Sequence, residues 1–442
     1  MIRISRVATM VALAAALGGC GIFKGGGHKP KTAVLGERIP ILAQTNDAEA
    51  EPSLASTPVT LPPAEVNTAW AQPGDTPTKF VGQVALGPAP ARIWTAHIPK
   101  SNARERFGAA PVIADGKLFV LDTESNVHAF DFATGRQLWK AGFAEGKKDR
   151  PSLFGGGVSY DDGKLYATNG VGDVVAMDAN GGKRLWKVRP GGPLRGAPTV
   201  GLGNVYVVSQ DNQIFALKAE DGATAWSDSA TLEASGVFGV AAPALGRGTV
   251  VAGFSSGELS ALRYENGRIV WQDQLARTSI STSVASISDI DASPVIDGDH
   301  VYAIGQGGRM VAMDITSGQR LWELNVGGID TPWVAGDWIY VLTDQAKLLC
   351  IQKLTGKVRW ITQLEQFKNK KKKENPIEWS GPILAGGRLW VTNERGQLLG
   401  IQATDGTIRD RIKGSGEFHL PVVVANSTMV TMDSKGTITA YR

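Results

Sequence analysis

Apolar and polar positions alternate in this chain in short bursts that return at a nearly fixed beat. The first full cycle opens on Ala110-Pro111-Val112-Ile113, which is short and apolar. Asp115-Gly116 follows, a pair suited to a two-residue hairpin because both turn positions need positive φ. Lys117-Leu118-Phe119-Val120-Leu121 is a second β-rich run, and Thr123–Asn126 is a turn. Val127-His128-Ala129-Phe130-Asp131 alternates apolar and polar residues, the period of a half-buried strand. Thr134-Gly135 turns again, and Arg136-Gln137-Leu138-Trp139 closes the cycle. Four short antiparallel strands in this order predict one blade of a β-propeller.

The closing signature (small residue, Asp, Gly, Trp) comes back. Ala129/Asp131/Gly135/Trp139 is repeated in full as Ala176/Asp178/Gly182/Trp186 and Ala312/Asp314/Gly318/Trp322. Ala216/Gly222/Trp226 and Ala261/Gly267/Trp271 keep three of the four residues, and Gly356/Trp360 has Cys350 in the small slot. A degraded copy has Gly400 and Gly406, with Asp410 where Trp should stand. The tryptophans recur roughly every 45 residues, the period of an array. Each signature residue has a physical job. Gly135 supplies positive φ in the last hairpin. Asp131 accepts N–H bonds from that turn. Trp139 wedges between neighbouring blades, and Ala129 leaves room for an indole. All of these tryptophans are read as packing residues, buried between blades.

A small residue followed by Pro leads into most units: Ala110-Pro111, Ala197-Pro198, Ala242-Pro243, Ser293-Pro294, Thr331-Pro332, Gly381-Pro382 and Leu420-Pro421. One further unit starts near Gly157 without Pro, which makes eight. The last has three strands and no Trp before the chain stops at Arg442. Arg92-Ile93-Trp94-Thr95-Ala96 supplies the missing strand from the other end. The prediction is an all-β, eight-bladed propeller of four-stranded antiparallel blades over 91–442. Its last blade is closed by the N-terminal strand, so no edge is left open between first and last blades.

Ahead of the propeller, residues 1–19 read as a signal peptide: Arg3 and Arg6, then an apolar Val7–Leu17 too short to stay in a membrane. Leu17-Gly18-Gly19-Cys20 resembles a bacterial lipobox. That resemblance implies cleavage before Cys20, lipidation of its thiol and new amine, and stable anchoring by several acyl chains. Gly21 after the cysteine implies sorting to the outer membrane. Residues 20–90 are rich in Gly, Ala, Pro and Thr and read as a flexible tether. Trp70, in a polar stretch near its end, is expected to dock on the propeller.

Charge changes the picture little. Lys+Arg 46 against Asp+Glu 42 gives +4, too balanced for nucleic-acid binding. Part of the excess is one run, Lys368 with Lys370–Lys373, in the long connection before the seventh blade. It reads as a solvated loop, or as a contact for an acidic partner or anionic headgroups. Cys350 has no partner once Cys20 is lipidated and is expected to be a small buried hydrophobe.

Little catalytic chemistry is legible. Gly253-Phe254-Ser255-Ser256-Gly257 matches G-x-S-x-G, but here it joins two strands, where a nucleophile elbow needs a strand and a helix. The five histidines lack metal-ligand spacing, so no metal, cofactor or catalytic residue is assigned. Ser288-Asp289-Ile290-Asp291 is more informative. Its two carboxylates point the same way in an extended chain, at the end of a long connection before the fifth blade. They read as loop caps or as an acidic contact for a basic partner. Val237 and Phe238, in the connection before the fourth blade, are apolar residues among small ones and could anchor an interface.

The lipobox, the tryptophan blades and the Ser-Asp-Ile-Asp segment together resemble the BamB family, lipoproteins of the outer-membrane β-barrel assembly (BAM) complex. The resemblance spans essentially the whole chain. It implies a scaffold on the periplasmic face of the outer membrane, with no enzymatic activity and no cofactor. The connections before two adjacent blades would bind the POTRA domains of BamA, alongside other BAM subunits and unfolded outer-membrane clients. Asp289 and Asp291 match the family's acidic pair and Val237 an apolar contact position. Phe238 falls where family members can have Arg. Two other readings compete: a quinone-cofactor dehydrogenase, whose adjacent cysteines and calcium site are not found in this sequence, and a propeller sensing a small ligand in its channel. The scaffold reading expects charge reversal at Asp289 and Asp291 to weaken capture of BamA with little change in melting temperature.

Overall fold

Each predicted cycle folds into one blade, and eight four-stranded antiparallel sheets make the ring. The computed structural model describes residues 48–102, 105–146, 156–232, 241–275, 289–306 and 308–442. The signal segment, Cys20, Val237 and Phe238 lie outside the described residues. Blade one is Val112–Ala114, Lys117–Leu121, Asn126–Asp131 and Gln137–Gly142, in that spatial order. Asp115 and Gly116 have φ of 49° and 68°, the geometry their hairpin requires. Asp131 caps its turn as expected, accepting the N–H of Thr134 at 2.9 Å. The eighth blade is Val423–Ala425, Thr428–Met432 and Thr437–Tyr441, completed by Arg92–His97, with Trp94 opposite Ala440.

The tryptophan signature proves to be a joint between blades. Within a blade the indole lies opposite the small residue: Ala129 faces Trp139, Ala176 faces Trp186, Ala312 faces Trp322, and Cys350 faces Trp360. Across the blade boundary it covers the turn glycine of the next unit. A Cβ on Gly135 would lie 2.6 Å from Trp94, one on Gly318 2.5 Å from Trp271, and one on Gly356 2.7 Å from Trp322. Several of these indoles donate Nε1–H to a backbone carbonyl of that next blade, although Trp139 Nε1 is buried without a partner among the described residues. Trp94 reaches Phe132, Trp226 Tyr264, Trp271 Ile315, Trp322 Lys353 and Trp360 Ala403. Small residue, glycine and tryptophan therefore belong to one contact, which explains why they recur together.

These indoles all pack on the core but differ in depth. Trp226, Trp271 and Trp360 are buried, whereas Trp94, Trp139, Trp186 and Trp322 are only half-buried. The reason is position. Each indole sits on the outermost strand of its blade, where one ring face packs on the neighbouring turn and the rim can reach solvent. In the strand Arg320–Leu324, Trp322 stands between the exposed Leu321 and Glu323.

Asp410 breaks the pattern for a topological reason. The eighth blade takes its outer strand from the N-terminus, so it lacks the final hairpin whose glycine an indole would cover. Asp410 instead pairs with Arg388 at 2.9 Å, and Arg388 also donates to the carbonyl of Pro88 on the incoming chain.

The tether drawn over 20–90 also needs correction. From Ala48 onward the chain packs on the propeller, with Leu54, Val59, Trp70 and Val84 buried. Trp70 docks as expected, stacked on Trp333 with centroids 6.1 Å apart. The innermost strand of every blade presents an unpaired edge to the channel, and residues 67–84 satisfy those edges in turn. Trp70 exchanges backbone bonds with Ile113 of blade one, and Ala71 accepts from Tyr160 of blade two. The Gln72 side chain accepts from Val200 of blade three, and Pro77 and Thr78 accept from Leu245 and Ile296 of blades four and five. Gly82 accepts from the Trp333 indole of blade six, Val84 pairs with Leu384 of blade seven, and Asn67 with Asn426 of blade eight. This strap touches all eight blades. Its composition looked like linker because the bonds come mostly from its backbone, which leaves no apolar periodicity to read.

Lys79 of the strap is buried, its Nζ donating to Thr199 Oγ1 at 3.0 Å. Burial lowers its pKa from 10.5 to about 7. Between those values the unfolded chain holds a proton that the folded chain has released, so stability rises with pH through that window. Lys79→Met should melt higher than wild type at pH 7 and lose most of this pH dependence. Thermal unfolding of both proteins from about pH 7 to about pH 10 checks it; parallel profiles would refute it.

Candidate partner-binding site

Asp289 and Asp291 do not face solvent. Their segment is pinned between blades four and five: Ile290 N–H donates to Phe254 O at 3.1 Å, and Gln306 N–H to Asp289 O at 2.9 Å. Gly253 makes the fit possible, since a Cβ there would lie 2.3 Å from Ile290. The carboxylates converge on Arg195, in the lead-in to blade three. Its Nη2 donates to Asp289 Oδ1 at 2.6 Å and to Asp291 Oδ1 at 2.7 Å. The side chains of Arg195, Asp289 and Asp291 are 2%, 0% and 5% exposed, respectively. The expected exposed acidic contact is therefore corrected to a buried ion triad within the chain. Charge reversal at the pair would put three cations together and cannot leave stability unchanged.

Sequence reasoning missed Arg195. The only signal was a lone cation in Gly192-Pro193-Leu194-Arg195-Gly196-Ala197, a connection otherwise small and apolar. Such a side chain needs a counter-charge, but nothing in the sequence says it lies two blades away.

The triad is unbalanced, with two carboxylates sharing one guanidinium. Burial raises the pKa of Asp291, the neighbouring Asp289 charge raises it further, and Arg195 pulls the other way. Arg195 Nη1 and Asp291 Oδ2 are buried without a hydrogen-bond partner among the described residues. The lead-ins around the triad are cross-tied: Ala242 N–H donates to Ser293 Oγ at 3.1 Å, and Ser293 N–H to Thr331 Oγ1 at 3.2 Å. One polar network thus fixes the lead-ins of blades three, four, five and six relative to one another. Two of them follow, in the sequence, the long connections that lead to blades four and five.

Asp291 also lines a small cavity on the ring axis, with Ser293, Asp330, Thr331, Trp70 and Lys79. Its volume is about 140 Å³. Burial pushes the Asp330 carboxyl up to about 8, opposed by the N–H of Gly381. Ser255 and Cys350, also singled out in the sequence, sit in structural settings. Ser255 sits in a strand–turn–strand, its hydroxyl donating to Asn212 at 2.7 Å, and Cys350 is buried in the blade-six core.

The ring, the tryptophan joints and the Arg195, Asp289 and Asp291 triad can now be set beside known proteins. The family model described as outer membrane protein assembly factor BamB matches residues 82–153 and 123–362. The chain belongs to the BamB family. Curated BamB relatives include that of Yersinia pestis, 24% identical over 359 residues, covering 80% of this chain and 89% of the relative. The Escherichia coli K12 protein is 26% identical over 396 residues, covering 79% and 88%. The crystal structure of BamB from Moraxella catarrhalis superposes with a TM-score of 0.67 at 18% identity, covering 80% of this chain and all of that one. A europium-containing methanol dehydrogenase matches with a TM-score of 0.66 at 13% identity, covering 83% and 90%, and shares the fold alone. BamB membership places the chain in outer-membrane protein assembly.

Proposed function

We propose that this chain is a non-enzymatic scaffold lipoprotein, anchored through Cys20 on the periplasmic face of the outer membrane. It binds the POTRA domains of BamA within the BAM complex and assists folding and insertion of β-barrel clients. Val237 and Phe238 supply apolar contacts. Asp289 and Asp291 act one layer back: through Arg195 they set where the connections before blades four and five stand. The observation that carries this reading is the buried triad, a costly polar arrangement that ties together the lead-ins of blades three and five. The strap counts against a quinone-type cofactor on the axis. It leaves about 140 Å³ there, below the roughly 300–1,000 Å³ of ordinary ligand pockets.

The test separates contact from support. Val237→Asp with Phe238→Asp should reduce co-purification with BamA by roughly tenfold or more, as loss of an interface anchor does, with the melting temperature unchanged. Undiminished co-purification from membranes would overturn the placement of the contact.

A further inference from the structure

A hairpin stands out from the ring between blades six and seven. Its strands are Phe367–Asn369 and Glu374–Pro376, with Asn369 opposite Glu374. Its base is tied down: Ile377 N–H donates to Gln366 O at 2.8 Å, the Trp379 indole to Glu365 O at 2.9 Å, and Lys368 pairs with Glu394 at 2.9 Å. The tip is Lys370–Lys373, all exposed. Lys370 is 75% exposed and lies 3.2 Å from Glu365. Lys371, Lys372 and Lys373 meet no carboxylate among the described residues.

The neighbouring outer strand of blade seven, Ile408–Lys413, is also unusual. Its alternate exposed positions are Arg409, Arg411 and Lys413, a row of cations spaced at roughly 7 Å, two strand residues apart. Lys370, Lys373 and Arg411 line one groove together with the partly exposed Phe367 and Ile408, with Glu365 and three glutamines also in its wall. The groove is about 610 Å³ in volume. Hairpin and strand together make a basic surface on a chain whose overall charge is only +4.

We propose that this surface docks on anionic phospholipid headgroups. Consecutive lysines around a turn diverge, so they present charge without a fixed pattern. That suits a sheet of laterally mobile phosphates. A folded partner would require a defined array, and lysine is depleted from protein interfaces, which rely on aromatic anchors that the tip lacks. The groove's mixed lining, with Phe367 and Ile408 beside the cations, also suits an amphiphile whose phosphate sits at the mouth. Cations near an anionic bilayer each strengthen binding by about fivefold and lose that effect in high salt.

The test uses the chain from residue 20 onward with Cys20→Ser, so that neither the apolar signal segment nor an acyl chain contributes. Flotation compares phosphatidylcholine vesicles with and without phosphatidylglycerol. Binding is expected only to the anionic vesicles, weakening with salt. It should fall by about fivefold for each lysine among Lys370–Lys373 changed to Gln, and similarly for Arg411→Gln. These side chains are exposed, so melting temperatures should stay at the wild-type value. Equal binding to neutral vesicles, or undiminished binding by the quadruple variant, would overturn the proposal. So would displacement by millimolar inorganic phosphate, which would mark a site for isolated anions. Loss of protein co-purification from the lysine variant with vesicle binding intact would also overturn it, in favour of an acidic protein partner.

Discussion

Arg195→Met should destabilise the protein by about 3–5 kcal/mol, the cost of stranding buried charge by removing one partner. Two carboxylates, both buried, lose the guanidinium they share. The pH dependence distinguishes this from a packing defect. Asp291 already has a folded pKa above its ordinary 3.8, so the folded chain keeps a proton that the unfolded chain releases. Its contribution to stability therefore falls as pH rises from about 4 through the folded value. Without Arg195 that value climbs further and the falling window widens. The loss measured by urea unfolding should be smaller near pH 5 than near pH 8. Adding Asp289→Asn and Asp291→Asn to the variant should recover most of the loss, because a buried ion cluster exchanged for neutral groups is often tolerated. A loss independent of pH, unrescued by the two asparagines, would show that Arg195 acts through its volume.

That outcome also bears on what Asp289 and Asp291 do. If Asp289 and Asp291 were surface contacts, their replacement would weaken partner capture and leave stability alone. Buried against Arg195, they should move both together. A variant restored in stability by the neutral triad but still poor in BamA capture would show that the charges steer the partner as well as position the connections.

The ring was legible in the sequence because its information is local and repeated. Each blade carries its own turn residues, and Gly135 or Gly318 is demanded by a backbone that no other residue adopts without strain. The position of Trp94 revealed the closure, since a fourth strand missing at one end had to be found at the other. How deeply each indole is buried was not legible, because Trp271 and Trp322 carry the same signature and differ only in what their blades place around them. The strap was not legible either, because backbone groups of Ala71, Pro77 and Thr78 do its bonding and their side chains carry no periodic signal. Arg195 was hidden for another reason. Its partners are Asp289 and Asp291, 94 and 96 residues away, and only the closed ring brings blades three and five to one axis. Asp289 and Asp291 stand out in the sequence by residue type and spacing, but their environment is a property of the fold and not of the segment.

The joints between blades make the second large prediction. Trp271 is buried, lies opposite Ala261, covers Gly318 and donates to Ile315 O at 2.7 Å. Trp271→Ala should cost about 3–5 kcal/mol, from lost burial, the cavity left behind and the orphaned carbonyl. Trp94→Ala and Trp322→Ala should cost less, because those indoles are only half-buried. Gly318→Ala isolates the joint itself. The new methyl meets strain from a φ of 71° and a collision 2.5 Å from Trp271. Removing the indole relieves the collision and leaves the φ strain. Gly318→Ala should therefore cost less in the Trp271→Ala background than alone, a coupling within the roughly 0.5–3 kcal/mol seen for touching residues. Unfolding midpoints of the four proteins give that coupling directly. Strict additivity would mean that glycine and tryptophan recur for independent reasons, and the joint between blades would lose its physical basis.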